Sequence, residues 1–169
     1  MGHYKYDWIW VKDKSTNHLN ARRQPLRQSE LISVFYKKQC QYSPILFEKD
    51  PKNVRKWQGA GQGTEVYGKM DYNTERTLPD TKGYPKNLLY FNGLSGVKNK
   101  TKHPTQKPVD LLKYLIRTYT SQGQVVLDFA MGSGSCGVAA KQLNRDFIGF
   151  EKDSTIFDSA VVRIGGAND

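Results

Sequence analysis

Val125-Val126-Leu127-Asp128-Phe129-Ala130-Met131-Gly132-Ser133-Gly134-Ser135 is the stretch whose reading decides the fold of this chain. A short apolar run ending on an acid reads as a buried parallel strand, and the glycine-rich residues 131–135 read as the loop that follows it. A helix of small residues is expected from about Gly137 to Leu143. Phe147, Ile148, Gly149 and Phe150 then form a second buried strand with Glu151 at its end, and residues 156–164 look helical again. Strand, glycine loop, helix, strand, acid is the order of a nucleotide-binding βαβ unit. Its glycines let backbone approach a ligand, its helix N-terminus offers free N–H groups, and its acid accepts ribose hydroxyls. Glu151 follows Gly132 by 19 residues, close to the separation of about 20 expected of such an acid. A lone Gly-x-Gly is ordinarily a tight turn. The conjunction with both strands and the acid is what points to a cofactor site, and the lack of a third glycine argues against a nicotinamide cofactor.

Working outward, Pro108 suits the first position of a helix, because its missing N–H would have no partner there anyway. Leu111, Leu112, Leu115, Ile116 and Tyr119 recur at helical spacing, and Gly123 closes the segment. At the front, Trp8, Ile9, Trp10 and Val11 read as a strand ending at Lys12. Leu31, Ile32, Val34, Phe35 and Tyr36 read as a second strand, and the two are expected to pair antiparallel. Residues 48–102 have a different texture, with Gly59, Gly61, Gly63, Gly83, Pro79 and Pro85 among basic residues and Trp57, Tyr67, Tyr72, Tyr84, Tyr90 and Phe91. A segment so long and irregular is a functional insertion or partly disordered. Aromatics and lysines on loops can stack on bases and neutralise phosphates, but one by one these rings are expected to pack a small satellite core.

The 169 residues amount to about one domain. A net charge of +10 is the footprint of a polyanion binder, with nucleic acid the leading candidate, or of a basic surface that merely aids solubility. That charge is unevenly placed: residues 1–107 hold 20 Lys and Arg against 9 Asp and Glu, whereas residues 108–169 hold 6 against 7. Cys40 and Cys136 are too few and too distant for a disulfide framework or a zinc cluster, so no metal is expected and a reducing cytoplasm fits best. No apolar stretch approaches the ~20 residues that span a bilayer.

His103-Pro104-Thr105-Gln106-Lys107-Pro108, the amphipathic helix, Val126 to Ser135 and Arg145 to Glu151 together resemble the permuted, β-type S-adenosylmethionine-dependent DNA amino-methyltransferases. The front resembles them too, through Trp8, Ile9, Trp10, Lys12, Asn20, Ala21, Pro25, Leu26, Glu30, Val34, Phe35, Tyr42 and Pro44. The resemblance implies an α/β chain: a partial Rossmann-like class I methyltransferase fold with a basic target-recognition insertion. Residues 1–47 would be the front of the methyltransferase domain, 48–102 the insertion and 103–169 the cofactor-binding part. Thr105, Lys107 and Pro108 would border the methionine end of S-adenosylmethionine, where a cation can meet the carboxylate. Asp128, Met131, Gly132, Ser133 and Gly134 would form the cofactor loop, Glu151 would bind the ribose hydroxyls, and Phe150 or Lys152 would flank the adenine. DNA would be met by Lys12, Arg22, Arg23, Arg27, Lys56, Lys98 and Lys100, mostly through its phosphates.

Two departures stand out. The family loop reads Asp-Pro-Phe-x-Gly-Ser-Gly-Thr, and Ala130 stands here at the aromatic position. The family's Asp/Asn/Ser-Pro-Pro-aromatic tetrapeptide, which holds the flipped target base, has no counterpart, because no Pro-Pro occurs in the sequence. The family order places it ahead of Tyr6. The resemblance therefore implies recognition and cofactor regions without a catalytic residue, and with the middle of the sheet missing. Apolar faces and strand edges left open in this way call for repacking, a homo-oligomer or a second chain that completes the sheet. Three other readings remain: one subunit of a split methyltransferase, a non-enzymatic DNA- or partner-binding protein, and a small nucleotide-dependent oxidoreductase.

Overall fold

The computed structural model describes residues 2–54, 81–92 and 106–167. Lys56, Lys98, Lys100 and Thr105, and the rings of Trp57, Tyr67 and Tyr72, lie outside the described residues. In chain order the strands are β1 (His3–Thr16), β2 (Arg27–Tyr36), β3 (Phe47–Glu48), β4 (Lys82–Gly83), β5 (Leu88–Tyr90), β6 (Val125–Asp128) and β7 (Asp146–Gly149). The helices are α1 (Val109–Tyr119), α2 (Ser135–Gln142) and α3 (Ser154–Gly165). The chain divides into two compact units, one of Met1–Ser43 with Lys86–Asp169 and one of Pro44–Pro85. In the second, β3 pairs antiparallel with β4, Phe47 opposite Gly83.

The first unit holds a three-stranded sheet in the order β2-β1-β5. β1 and β2 pair antiparallel, with Trp8 opposite Ile32 and Trp10 opposite Glu30. Both strands run further than their apolar stretches, because a ladder satisfies polar residues' backbone as well as apolar ones. β5 lies parallel to β1, with Ile9 opposite Leu88, and the Ile9 N–H donates to the Asn87 carbonyl at 2.8 Å. This strand falls within the stretch read from sequence as irregular. Three residues are too few to display a period of two.

Alternation along β1 sends Trp8 and Trp10 to one face, where they are buried with Leu89 and Leu111. Their polar edges are satisfied: the Trp8 indole N–H donates to the Tyr119 hydroxyl at 2.6 Å, that hydroxyl also meets Tyr6 at 2.9 Å, and the Trp10 N–H donates to the Phe91 carbonyl at 2.9 Å. Phe91 packs into this core, whereas Tyr84 and Tyr90 are exposed.

α1 carries two apolar stripes. Leu111, Tyr114, Leu115 and Tyr119 pack into the aromatic core, while Val109, Leu112 and Ile116 pack with Ala139, Ala140, Leu143, Cys136, Val126 and Phe147. Pro108 caps α1 from just outside the first turn. The helix stops at Tyr119, four residues before Gly123. There Arg145 donates to the Thr120 hydroxyl at 3.1 Å and to its carbonyl at 2.8 Å. Gly123 instead shapes the following turn, its N–H donating to the Asn144 carbonyl at 2.8 Å.

β6 and β7 pair parallel, Val125 opposite Asp146 through Asp128 opposite Gly149, and α2 is the crossover between them. The expectation that both strands are buried holds for one face only. Val126 and Phe147 turn toward the helices, whereas Val125, Leu127 and Ile148 on the other face are 56%, 61% and 49% exposed. Among the described residues no further strand pairs with either edge of β6-β7. None of the described helices is long and apolar enough to cross a membrane.

Candidate cofactor site

The loop after β6 is built by its own backbone bonds. Asp128 accepts from the Ala130 N–H at 3.1 Å, the Met131 N–H reaches the Phe150 carbonyl at 2.9 Å, and the Gly134 N–H returns to the Met131 carbonyl at 2.9 Å. Gly132 and Gly134 hold φ of 52° and 74°, the left-handed region that glycine enters without strain. At Gly134 a Cβ would also stand 3.0 Å from Ile164 Cδ1 and 3.1 Å from Ala160 Cβ, so the turn sits tightly on α3.

Glu151 closes the turn from the β7 side. Its Oε2 accepts the Gly132 N–H at 2.9 Å, and its Oε1 accepts the N–H groups of Lys152 at 2.8 Å and Asp153 at 3.1 Å. The Asp153 N–H is the largest influence and holds the carboxyl below its ordinary pKa; together with the N–H groups of Gly132 and Lys152 it outweighs desolvation, which acts the other way. With about four acceptor positions on a carboxylate, the three bonds leave room for one more donor.

The loop borders a cavity of about 300 Å³ lined by Gln106, Lys107, Leu112, Asp128, Ala130, Met131, Gly132, Ser133, Ser135 and Cys136. The expected residues Lys107, Asp128, Met131, Gly132 and Ser133 are thus brought together. Pro108, Gly134 and Glu151 stand just behind them, capping α1, opening α2 and holding the Gly132 N–H. Gln106, Leu112 and Cys136 were not read as site residues: Gln106 stood only within the family motif, the periodicity of α1 placed Leu112 in the core, and Cys136 read as a lone cysteine. The Cys136 thiol is pushed up to about 11 by burial and by the nearby Asp128 carboxylate, so it stays protonated near neutrality and contributes a weak donor. Phe150, expected near the adenine, is 58% exposed beside the loop. No group of metal-ligating side chains occurs among the described residues.

Lys107 does not stand alone. Its Nζ lies 2.7 Å from Glu30 Oε2, and Glu30 also pairs with Lys12. The two ammonium groups sit 5.7 Å and 5.5 Å over the Trp10 ring. Burial alone would raise the Glu30 carboxyl, but the hydrogen bonds from Lys107 and Lys12 more than offset it and leave the pKa lowered. Lys12, expected to meet DNA, is therefore an ion-pair partner on β1. Arg22 and Arg23 are exposed in the turn between β1 and β2, and Arg27 opens β2, where the Thr16 hydroxyl bonds its carbonyl at 3.2 Å.

A βαβ unit with this loop, set against an antiparallel aromatic pair, defines the α/β fold of a class I S-adenosylmethionine-dependent methyltransferase. More particularly, the family described as DNA methylase matches residues 2–162, and the chain belongs to that family. Over 68 residues it is 48% identical to the type II methyltransferase M.HindIII of Haemophilus influenzae, a match covering 40% of this chain and 22% of that protein. Over a span of the same length it is 43% identical to the type II methyltransferase M2.DpnII of Streptococcus pneumoniae, covering 40% and 25%. Among solved structures, the M1.HpyAVI–SAM complex superposes with a TM-score of 0.60 at 29% identity, covering 95% of this chain and 62% of that one. The cytosine-N4-specific PvuII DNA methyltransferase gives a TM-score of 0.58 at 17% identity, covering 93% and 49%, a likeness of fold. The chain thus spans less than two thirds of the length of each of these relatives.

Proposed function

We propose that this chain is the target-recognition and cofactor-binding part of a DNA amino-methyltransferase acting on the exocyclic nitrogen of adenine or cytosine. The observation that carries the reading is the glycine turn, closed by Glu151 and opening on a cavity that also holds Lys107, Ser133 and Ser135. A ribose fits the remaining acceptor of Glu151, and a carboxylate fits the ammonium and hydroxyl donors across the cavity. When bound there, S-adenosylmethionine supplies a methyl group activated by its sulfonium. The residues of this chain bind and orient it: Gly132 and Gly134 admit it to the backbone, Glu151 holds the ribose, and Lys107 faces the methionine end. DNA is met by the basic residues before Pro108, through phosphate contacts that weaken with salt. Relatives of the type II kind suggest a place in restriction-modification and a cytoplasmic setting.

As these 169 residues stand, they do not methylate DNA unaided. A flipped base needs an amide or carboxylate oxygen and a proline-stiffened aromatic to align its amino group, and the sequence has no Pro-Pro. A misplacement of ~1 Å costs on the order of a hundredfold. The open apolar face of Val125, Leu127 and Ile148 favours cover by further strands; a second copy could give that cover, but it too lacks Pro-Pro, so the tetrapeptide would come from a different segment or chain.

Calorimetric titration with S-adenosylmethionine tests the reading. Binding by the wild type, weakened by Glu151→Ala and by Gly132→Asp, supports it, and no binding by the wild type sinks it. Tritiated methyl transfer to mixed-sequence DNA by the isolated chain would show that it carries a catalytic group of another kind.

A further inference from the structure

α3 sends one side chain back under the glycine turn. Arg163 Nη1 lies 2.8 Å from the Ser133 carbonyl, 3.2 Å from the Ser133 hydroxyl and 3.0 Å from the Ser135 hydroxyl. One terminal nitrogen has two hydrogens, so three acceptors mean that one hydrogen is shared. The guanidinium is half-buried, and its desolvation lowers its pKa from the ordinary value, yet among the described residues no carboxylate pairs with it. A cation kept in such a place, bonded only to neutral oxygens, is costly unless its charge is used.

The two serines show where the charge goes. Ser133 and Ser135 are 8% and 5% exposed, and both line the cavity while Arg163 does not. A hydroxyl has one hydrogen to give and two lone pairs to offer. Arg163 occupies lone pairs on both, and among the described residues neither hydroxyl donates to a protein acceptor. Each hydrogen is therefore free to turn toward the cavity, and a hydroxyl that accepts from a cation is polarised into a better donor. The third contact, to the Ser133 carbonyl, draws that acceptor toward the arginine and away from the ligand.

We propose that Arg163 is a positioning residue that converts Ser133 and Ser135 into hydrogen-bond donors for the carboxylate of a bound amino-acid moiety. It sets the site's preference for adenosyl ligands that carry that carboxylate over those that lack it. The inference rests on the cofactor reading above and deepens it. Lys107 enters the same cavity but shares its charge with Glu30, whereas Arg163, paired with no carboxylate among the described residues, acts through the serines.

The test is calorimetric affinity for two ligands, S-adenosylmethionine and 5′-methylthioadenosine, which lacks the amino-acid end. Arg163→Met should lower the affinity for S-adenosylmethionine about tenfold, the loss expected for weakening a charge-assisted bond, and leave 5′-methylthioadenosine within about twofold. Arg163→Lys, which keeps the charge and one donor group, should recover part of the loss. Ser135→Ala should cost less in the Arg163→Met background than in the wild type, because the two act in series. Equal losses for both ligands would assign Arg163 a purely structural role and overturn the proposal, as would no loss for either. If Arg163→Met does not fold, the ligand ratio in Arg163→Lys and Ser135→Ala decides between the same outcomes. A wild type that binds neither ligand overturns the cofactor reading and this inference together. A wild type that binds both, with a ratio unmoved by the variants, overturns only the role of Arg163.

Discussion

The β2-β1-β5 sheet and the β6-α2-β7 unit reach comparable burial by opposite means. The first fills its interior with large rings, Trp8 and Trp10 with Tyr6, Phe91, Tyr114 and Tyr119 around them, and must satisfy an N–H or hydroxyl for almost every ring it buries. The second brings its elements close together with Ala139 and Ala140, and with Ala160 of α3 set tightly against Gly134, all three alanines fully buried. Large rings tolerate a polar surround and suit a strand pair whose other positions carry charges such as Lys12 and Glu30. Small residues leave no polar atoms to satisfy, and they let a loop and two helices converge closely enough to shape a cavity.

The contrast predicts that truncation hurts the front most and enlargement hurts the back most. Trp8→Ala should cost about 3–5 kcal/mol of unfolding free energy, from lost burial and a cavity that rigid rings fill poorly. Denaturant unfolding would measure it, and a loss below 1 kcal/mol would mean that the aromatic core is loosely packed. Ala139→Leu should cost about 1–3 kcal/mol by overpacking, and it should weaken ligand binding at the cavity as α2 shifts, whereas Trp8→Ala should leave the intrinsic affinity of the folded fraction nearly unchanged. A ligand affinity insensitive to Ala139→Leu would separate the small-residue packing from the site. Tyr119→Phe, which keeps the ring but removes the partner of Trp8 and Tyr6, should cost about 1 kcal/mol. Burial, aided by the bond to Tyr6, drives the Tyr119 hydroxyl well above its ordinary pKa, so this contribution should not vary between pH 6 and 9.

The smallest effect concerns the acid at the loop. The Glu151 carboxyl is lowered in the folded chain from an ordinary value of 4.5, so its bonds stabilise the fold above that pH and lose their effect as pH falls through the lower folded value. Glu151→Gln should therefore melt slightly below the wild type at pH 6, with the gap closing on acidification below 4.5. A gap that widens in acid would mean that the carboxylate is a burden to the fold.

Much of this was legible in the sequence where chemistry and spacing coincide. The two glycines, the acid at Glu151 and the stripe from Leu111 to Tyr119 each serve a local requirement that one segment can display. Contacts that join distant segments left no such trace. Arg163 occupies an unremarkable position on an amphipathic helix, and only the tertiary structure carries it to Ser133 and Ser135, as only the sheet carries Glu30 to Lys107. The uncovered face of β6-β7 was also illegible strand by strand, because Val125, Leu127 and Ile148 have the composition of residues buried on both sides.

The double-striped α1 means that the two cores should melt as one cooperative unit. Leu111 and Ile116 lie in different clusters on the same eleven-residue helix, and a helix of that length does not persist in water unpacked. Melting either core removes a wall of the other. Whatever stabilises the glycine turn is thus thermodynamically linked to Trp8 and Trp10, and saturation of the cavity should raise the melting midpoint seen by tryptophan fluorescence by the same amount as that seen by helical circular dichroism.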